Sequence, residues 1–236
     1  MSNINDFFRE PNNSHAREKI LNHHLWFDLE KAAAQDNYEL QVYRPDTDHV
    51  GVDVFLDDLK TIRGFQIKTV LNDAKTVDWE IHSRLLQPKV ENMKSFKCSI
   101  PVPGIEGGVI LIVIDVDEKK NDFSVSYEYF DIYILKMYIM KMCSHKRCKT
   151  FDKACELHKQ LTISTNEIIS IPRTMFIKPK NAACLLALAG LNSECKEMDS
   201  YRNLLKKISI NVKQGPEYEE IITNFKALVD TSDLII

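Results

Sequence analysis

Apolar and polar positions alternate along the chain in two distinct periods. From Ser14 to Gln35, Leu21, Leu25 and Leu29 recur four apart with Trp26 beside them. That spacing predicts a helix with one buried face, capped near Asn13 or Ser14 and broken at Asp36-Asn37. A short strand is expected over Glu39 to Tyr43. After a polar turn around Pro45, the period changes to two. Gly51 to Leu56 and Thr61 to Val70 each read as strands, and the Asp57-Asp58-Leu59-Lys60 turn between them predicts an antiparallel hairpin. Val109 to Val116 is continuously apolar, as a central strand buried on both faces would be.

Between and beyond these, Pro88 to Phe96 is expected to be a helix, and Phe123 to Tyr138 one or two strands, including one near Asp131 to Met137. Helices are expected over Lys153–Gln160, Lys180–Leu191, Tyr201–Ile208 and Tyr218–Val229. The sum is an α/β or α+β fold, a mixed central sheet flanked by helices. The expected division is a core over residues 1–140 and a mainly helical C-terminal part over 141–236 that packs on it.

Composition narrows the class. With 236 residues and 44% of them hydrophobic, the chain can bury a sizeable core, which excludes intrinsic disorder. No apolar run approaches the roughly 20 residues needed to cross a bilayer, and MSNINDFFRE lacks a basic then apolar leader, so a cytoplasmic protein without a membrane partner is expected. The formal charge is 31 − 34 = −3, so contact with nucleic acid has to come from a local patch. One such patch lies between Lys136 and Lys159, where Lys136, Lys141, Lys146, Arg147, Lys149, Lys153 and Lys159 face only Asp152 and Glu156. Seven minus two leaves +5. Arg173, Lys178 and Lys180 follow with no acid between them. Lys146, Arg147, Lys149, Lys153, Arg173, Lys178 and Lys180 are the candidate phosphate contacts, against the plainer reading of a solvated surface balanced by acids elsewhere.

The hairpin carries the candidate chemistry. Gln66 and Lys68 are two apart and share a face, and the pairing brings Asp53 beside them. A carboxylate, an amide oxygen and an amine in one place suit phosphodiester hydrolysis with a hard divalent ion. Asp53, the Gln66 side chain and the Ile67 carbonyl supply oxygen ligands for Mg²⁺ or Mn²⁺, and Lys68 orients the attacking water and steadies negative charge. Glu18 on the first helix is a fourth candidate ligand, with Glu30 the alternative helix acid. The plain alternative is a cross-strand Asp53–Lys68 ion pair on an exposed face, worth little.

Glu18, Gly51-Val-Asp53 and Gln66-Ile-Lys68-Thr69 together resemble the PD-(D/E)xK nuclease superfamily, in the branch with Gln in place of the first acid of the last motif. The resemblance covers about residues 18–136. It implies a restriction-endonuclease-like fold, a Mg²⁺- or Mn²⁺-dependent deoxyribonuclease, and catalytic roles for Asp53, Gln66, Lys68 and Glu18. It is similar to nucleases of bacterial restriction and anti-phage defence. DNA is the implied substrate, and a homodimer or a partner protein such as an ATPase or sensor the implied assembly. Gln66 removes one negative charge from the metal site, which keeps open a catalytically inactive domain of the same fold that binds DNA or protein, and RNA as a substrate. Cys143, Cys148, Cys155 and His158 form a second cluster, but their spacing does not match the two-residue zinc knuckle, and buried thiols are the ordinary reading.

Overall fold

The computed structural model describes residues 3–47, 50–146, 150–191, 196–208, 210 and 216–236. A short helix α1 (Ile4–Arg9) leads into α2 (Ser14–Gln35), which buries Leu21, Leu25, Leu29, Ala32 and Ala33 as the leucine spacing predicts. Asn13 is the residue before the first turn, but its amide donates to the Phe7 carbonyl at 3.3 Å instead of capping the helix. Asn37 turns left-handed at φ 59° and ends it.

Strands β1 (Gln41–Tyr43), β2 (Val54–Asp57) and β3 (Ile62–Leu71) follow. Asp58 closes the β2–β3 turn: its Oδ1 accepts the Lys60 and Thr61 N–H groups at 3.0 and 2.7 Å, and Leu59 takes a left-handed φ of 67°. After β4 (Asp78–His82) and a one-turn helix α3 (Ser83–Leu86) come β5 (Gly108–Asp117) and β6 (Asp122–Asp131). The main sheet has the order β1-β2-β3-β5-β6, with β3 and β5 parallel and the other neighbours antiparallel. It is a mixed sheet, and β5 is buried on both faces from Gly108 to Ile114.

Register and alternation assign the faces. Phe65, Ile67, Ile110, Ile112, Tyr127 and Tyr129 share one face, which α1 and α2 cover: Phe8 meets Phe123 edge-on at 4.8 Å, and Tyr127 donates to Asp28 at 2.6 Å. Gln66, Lys68, Val109, Leu111, Glu128 and Phe130 share the other.

The next helix is a correction. Residues 132–139, expected as a strand, form helix α4 (Ile132–Ile139). Asp131 Oδ1 accepts the Tyr133 and Ile134 N–H groups at 2.9 and 2.8 Å, and this cap starts a helix in a run whose apolar residues, buried all round, suit either structure. The expected helix over Pro88 to Phe96 is likewise replaced by a 3₁₀ turn at Val90–Asn92 and further turns. Asn92 is drawn inward there to donate to Glu106 at 2.7 Å, and the Lys89 N–H binds the same carboxylate at 3.2 Å.

The remaining elements are β7 (Ser144–His145), α5 (Thr150–Thr162), β8 (Ile168–Pro172), α6 (Ala182–Leu188), α7 (Lys196–Lys207), α8 (Pro216–Leu228) and β9 (Leu234–Ile235). β8 pairs antiparallel with β4 and β9 with β7, neither of which the local patterns announced. The β4–β8 ribbon covers the Gln66 face through Phe176, whose ring lies 5.5 Å from Trp79 and 5.8 Å from Phe130. Tyr201, Leu205, Ile221 and Phe225 from the C-terminal part enter the same core as β5 and α4. Among the described residues no helix is long and apolar enough to cross a membrane.

A polar network crosses this core. Arg202 of α7 bonds Asp131 at 2.7 Å and the Leu188 carbonyl at 2.6 Å, and its guanidinium lies 4.0 Å from the Tyr133 ring centre. Tyr133 donates to Glu106 at 2.6 Å, and Tyr129 to Asp131 at 2.9 Å. Burial alone would raise the Glu106 carboxyl, but the Tyr133 and Asn92 hydrogen bonds and the charges of Arg202 and Arg63 outweigh it and hold it below its ordinary value.

Alkaline pH should dismantle this packing. Burial pushes up the hydroxyls of Tyr38, Tyr127, Tyr129, Tyr133 and Tyr201 and the thiols of Cys98, Cys143 and Cys184. Groups raised in the folded state keep their protons where the unfolded chain loses them, so their stabilisation is complete below the unfolded values and is lost as pH rises. Lys136, lowered by burial to about 8, acts with the opposite sign between pH 8 and its unfolded value, and Lys206 is lowered too, but both are outnumbered. The melting temperature is expected to fall steadily once pH passes about 9 to 10, where free Cys and Tyr ionise. A melting temperature that stays flat to pH 11 would refute this.

Candidate functional site

The site begins where β2 stops short. Val54 pairs with Phe65, and the Asp53 N–H still reaches the Phe65 carbonyl at 2.9 Å. Asp53 therefore sits just before the strand, not in its middle. Upstream the chain swings away, because Val50 and Gly51 both take left-handed conformations, at φ 62° and 73°. β3 runs on along β5 through Gln66–Leu71, and the two parting strands form a fork.

At that fork Asp53 Oδ2 accepts the Ile67 N–H at 2.6 Å, taking the donor that a longer β2 would have paired. In a strand the N–H and C=O of one residue point to the same side, so the Ile67 carbonyl faces the fork as well. The side chains of Gln66 and Lys68 project from one face beside it. Gln66 Oε1 is buried and has no hydrogen-bond partner. Such an acceptor is costly unless something satisfies it.

These groups line a cleft of about 740 Å³ together with Glu18. All five residues expected from the sequence, Glu18, Asp53, Gln66, Ile67 and Lys68, therefore meet in one place. Glu30 does not line it; on a helix rising about 1.5 Å per residue it is more than three turns further along α2. The donor set fits a hard divalent cation. Two carboxylates, an unpartnered carboxamide oxygen and a backbone carbonyl are all oxygen, as Mg²⁺ or Mn²⁺ requires. Among the described residues no group of three or more His, Cys, Asp or Glu is placed to hold a metal, so a cation here would depend on the Gln66 and Ile67 oxygens.

Other residues of the cleft were not anticipated: Arg17, Asn22, Trp26, Arg44 and Trp79. Glu18, Asn22 and Trp26 recur at i, i+4 and i+8 on α2, a polar stripe that the helical period could have revealed. Arg44 caps the stripe, its guanidinium 6.0 Å from the Trp26 ring centre. Arg17 is turned aside and donates to the Phe8 and Glu10 carbonyls at 2.6 and 2.9 Å.

Gly51 holds the fork open. A Cβ there would lie 3.3 Å from the Gln66 amide nitrogen and 3.2 Å from His82 Cβ, at a φ that L side chains avoid. Gly51→Ala is expected to cost about 1–2 kcal/mol and to displace Gln66. A urea titration reads the first effect, and a weakened Mn²⁺ dependence of activity the second; an unchanged variant would show that Gly51 is incidental.

The candidate phosphate contacts lie elsewhere, and Arg147 and Lys149 fall outside the described residues. Lys146 donates to the Thr231 and Ser232 carbonyls at 3.2 and 2.6 Å, and Lys180 to those of Lys226 and Ala227 at 2.9 and 2.8 Å. Both border a cavity of about 780 Å³ beside β9. Arg173, 3.3 Å from Glu128, and Lys178, 4.0 Å from Asp230, border a separate cavity of about 820 Å³. Lys153 on α5 pairs with Glu156 at 3.1 Å. Lys136, counted above with the basic run, is a correction. It is fully buried, and its ammonium donates to Ser95 Oγ and to the Leu205 and Ile208 carbonyls at 2.8, 2.6 and 2.7 Å. Its charge holds the end of α7 and does not add to a surface patch.

Of the thiol cluster, Cys148 is outside the described residues and Cys143 is buried. The His158 ring nitrogen donates to the Phe96 carbonyl at 2.9 Å. Compared with family models, curated proteins and solved structures, the chain finds no match, so the reading of the cleft rests on its own chemistry.

Proposed function

We propose that the cleft is the catalytic centre of a metal-dependent endonuclease that hydrolyses DNA phosphodiester bonds. In this reading the chain is a PD-(D/E)xK, restriction-endonuclease-like domain and the effector of a bacterial restriction or anti-phage defence system. It acts as a homodimer or with a partner protein. The observation that carries the proposal is the convergence of Asp53, Glu18, Lys68 and the unpartnered Gln66 Oε1 on one open cleft at the β2–β3 fork.

Asp53, Glu18, Gln66 Oε1 and the Ile67 carbonyl would hold Mg²⁺ or Mn²⁺. When bound, the ion supplies Lewis acidity toward the phosphate and a more acidic water. The chain's own groups do the rest. The Ile67 N–H fixes the Asp53 carboxylate through Oδ2. Lys68 donates to the attacking water and to the non-bridging phosphate oxygens as negative charge builds on them. Arg44 adds positive charge on the opposite wall, where a flanking phosphate would lie.

The test is cleavage of supercoiled plasmid and of single-stranded circular DNA with Mg²⁺ or Mn²⁺, with an RNA of matched length beside them. Wild-type protein is compared with Asp53→Asn and Lys68→Met. Cleavage by wild type alone supports the proposal. Equal and negligible cleavage by all three, with a candidate partner present, favours the inactive binding module that the carboxamide at position 66 keeps open.

A further inference from the structure

Both tryptophans of the chain, Trp26 and Trp79, line the candidate cleft. A site that only grips a duplex by its phosphates has little use for indole rings. Trp26 is half-buried on α2 with Arg44 above it at 6.0 Å, so a flat, positively capped wall stands across the cleft from Asp53 and Lys68. Two further polar atoms on this wall, Asn22 Oδ1 and Trp26 Nε1, are buried without a hydrogen-bond partner. One is an acceptor and the other a donor, the complement that the edge of a heteroaromatic base offers. Aromatic and guanidinium planes stack unpaired bases, whereas bases inside a duplex are already stacked on each other and present only their edges.

We infer that the cleft takes single-stranded nucleic acid, with one unpaired nucleobase held against Trp26 beneath Arg44, its edge met by Asn22, and the adjoining phosphate delivered to Asp53 and Lys68. The inference rests on the nuclease reading of the same cleft and narrows its substrate to unpaired strands. Trp26 and Arg44 act in binding and selection; neither is assigned a part in breaking the bond.

The experiment separates the two claims by measuring binding without chemistry. Wild-type protein in EDTA is titrated with labelled (dT)₁₂, (rU)₁₂ and a 12-base-pair duplex, reading intrinsic tryptophan fluorescence and the anisotropy of the label together. Single strands are expected to quench the tryptophan signal and to bind about ten-fold or more tightly than duplex, and the two homopolymers show whether DNA or RNA is the source of the base. Trp26→Phe keeps a stacking ring and leaves Trp79 as the only reporter, so most of the quench should vanish while affinity holds. Trp26→Leu should lose about 5- to 100-fold in affinity for single strands and little for duplex. Its fold is checked by melting, and Arg44→Ala, which leaves α2 intact, should weaken single-strand binding in the same direction. Duplex bound as tightly as single strand, or affinity unchanged in both Trp26→Leu and Arg44→Ala, overturns the inference. Failure of cleavage on every substrate, by contrast, strikes the nuclease reading whatever the binding data show.

Discussion

Asp53→Asn should abolish plasmid cleavage while leaving the fold intact. The substitution keeps an oxygen where Oδ2 accepts the Ile67 N–H, so the fork retains its one tie between Asp53 and β3. What it removes is the negative charge, in a cleft where Gln66 already stands in place of a carboxylate. Only Glu18 then remains as an anionic ligand, and cation affinity should collapse. Lys68→Met should produce a loss of comparable size by another route, because it deletes the donor aimed at developing charge and preserves the length of the side chain. Removing one such donor typically costs about 10²- to 10³-fold in rate. Neither side chain is part of the apolar core, so both variants should stay within about 0.5 kcal/mol of wild type. The check is initial rate against Mn²⁺ concentration. Asp53→Asn should shift the metal dependence, and Lys68→Met should lower the plateau without shifting it. A variant that cuts as fast as wild type would remove these residues from the chemistry.

Arg202→Met should be the most damaging single change to stability. Arg202 and Asp131 are 3% and 0% exposed, so deleting the guanidinium strands a buried carboxylate, a change that typically costs about 3–5 kcal/mol. Asp131 cannot escape, because its other oxygen caps α4. Pairing the change with Asp131→Asn should recover part of the loss, since the amide still accepts from Tyr133 and Ile134 and carries no charge. Urea titration of the two single variants and the double would show the coupling; additive losses would mean that the pair is not a unit. The damage should reach the cleft as well. Asp131 is in register with Gly108, and Gly108 with Phe65, so the network fixes the end of β3 that carries Gln66.

How far the sequence could lead depended on range. Helix α2, the β2–β3 hairpin and β5 each announce themselves within a window of twenty residues, by leucines at one spacing or by alternation around a turn. Asp53 and the Gln66–Lys68 pair were legible for the same reason, since a hairpin register is local. The β4–β8 pairing joins Asp78–His82 to Ile168–Pro172, and nothing in either five-residue run names its partner. Helix α4 was misread because an apolar run without a clear period suits strand or helix equally, and the deciding hydrogen bonds come from Asp131 just ahead of it. Lys136 shows the limit of counting charge along a chain: its ammonium is spent on carbonyls about 70 residues away in sequence. Trp26 and Arg44 were each visible, but their meeting over the cleft depends on how α2 lies against the fork.

The early end of β2 has an evolutionary corollary. A sheet edge is ordinarily a liability, open to pairing with any passing strand. Here a carboxylate occupies the first vacated rung, and that single occupancy changes exposed main chain into a socket for a ligand. Two more residues of extended conformation before Val54 would zip the ladder shut and erase the socket, leaving the hydrophobic interior untouched. Gain and loss of chemistry in this architecture can therefore turn on the backbone twist of Val50 and Gly51, with every charged side chain still in place.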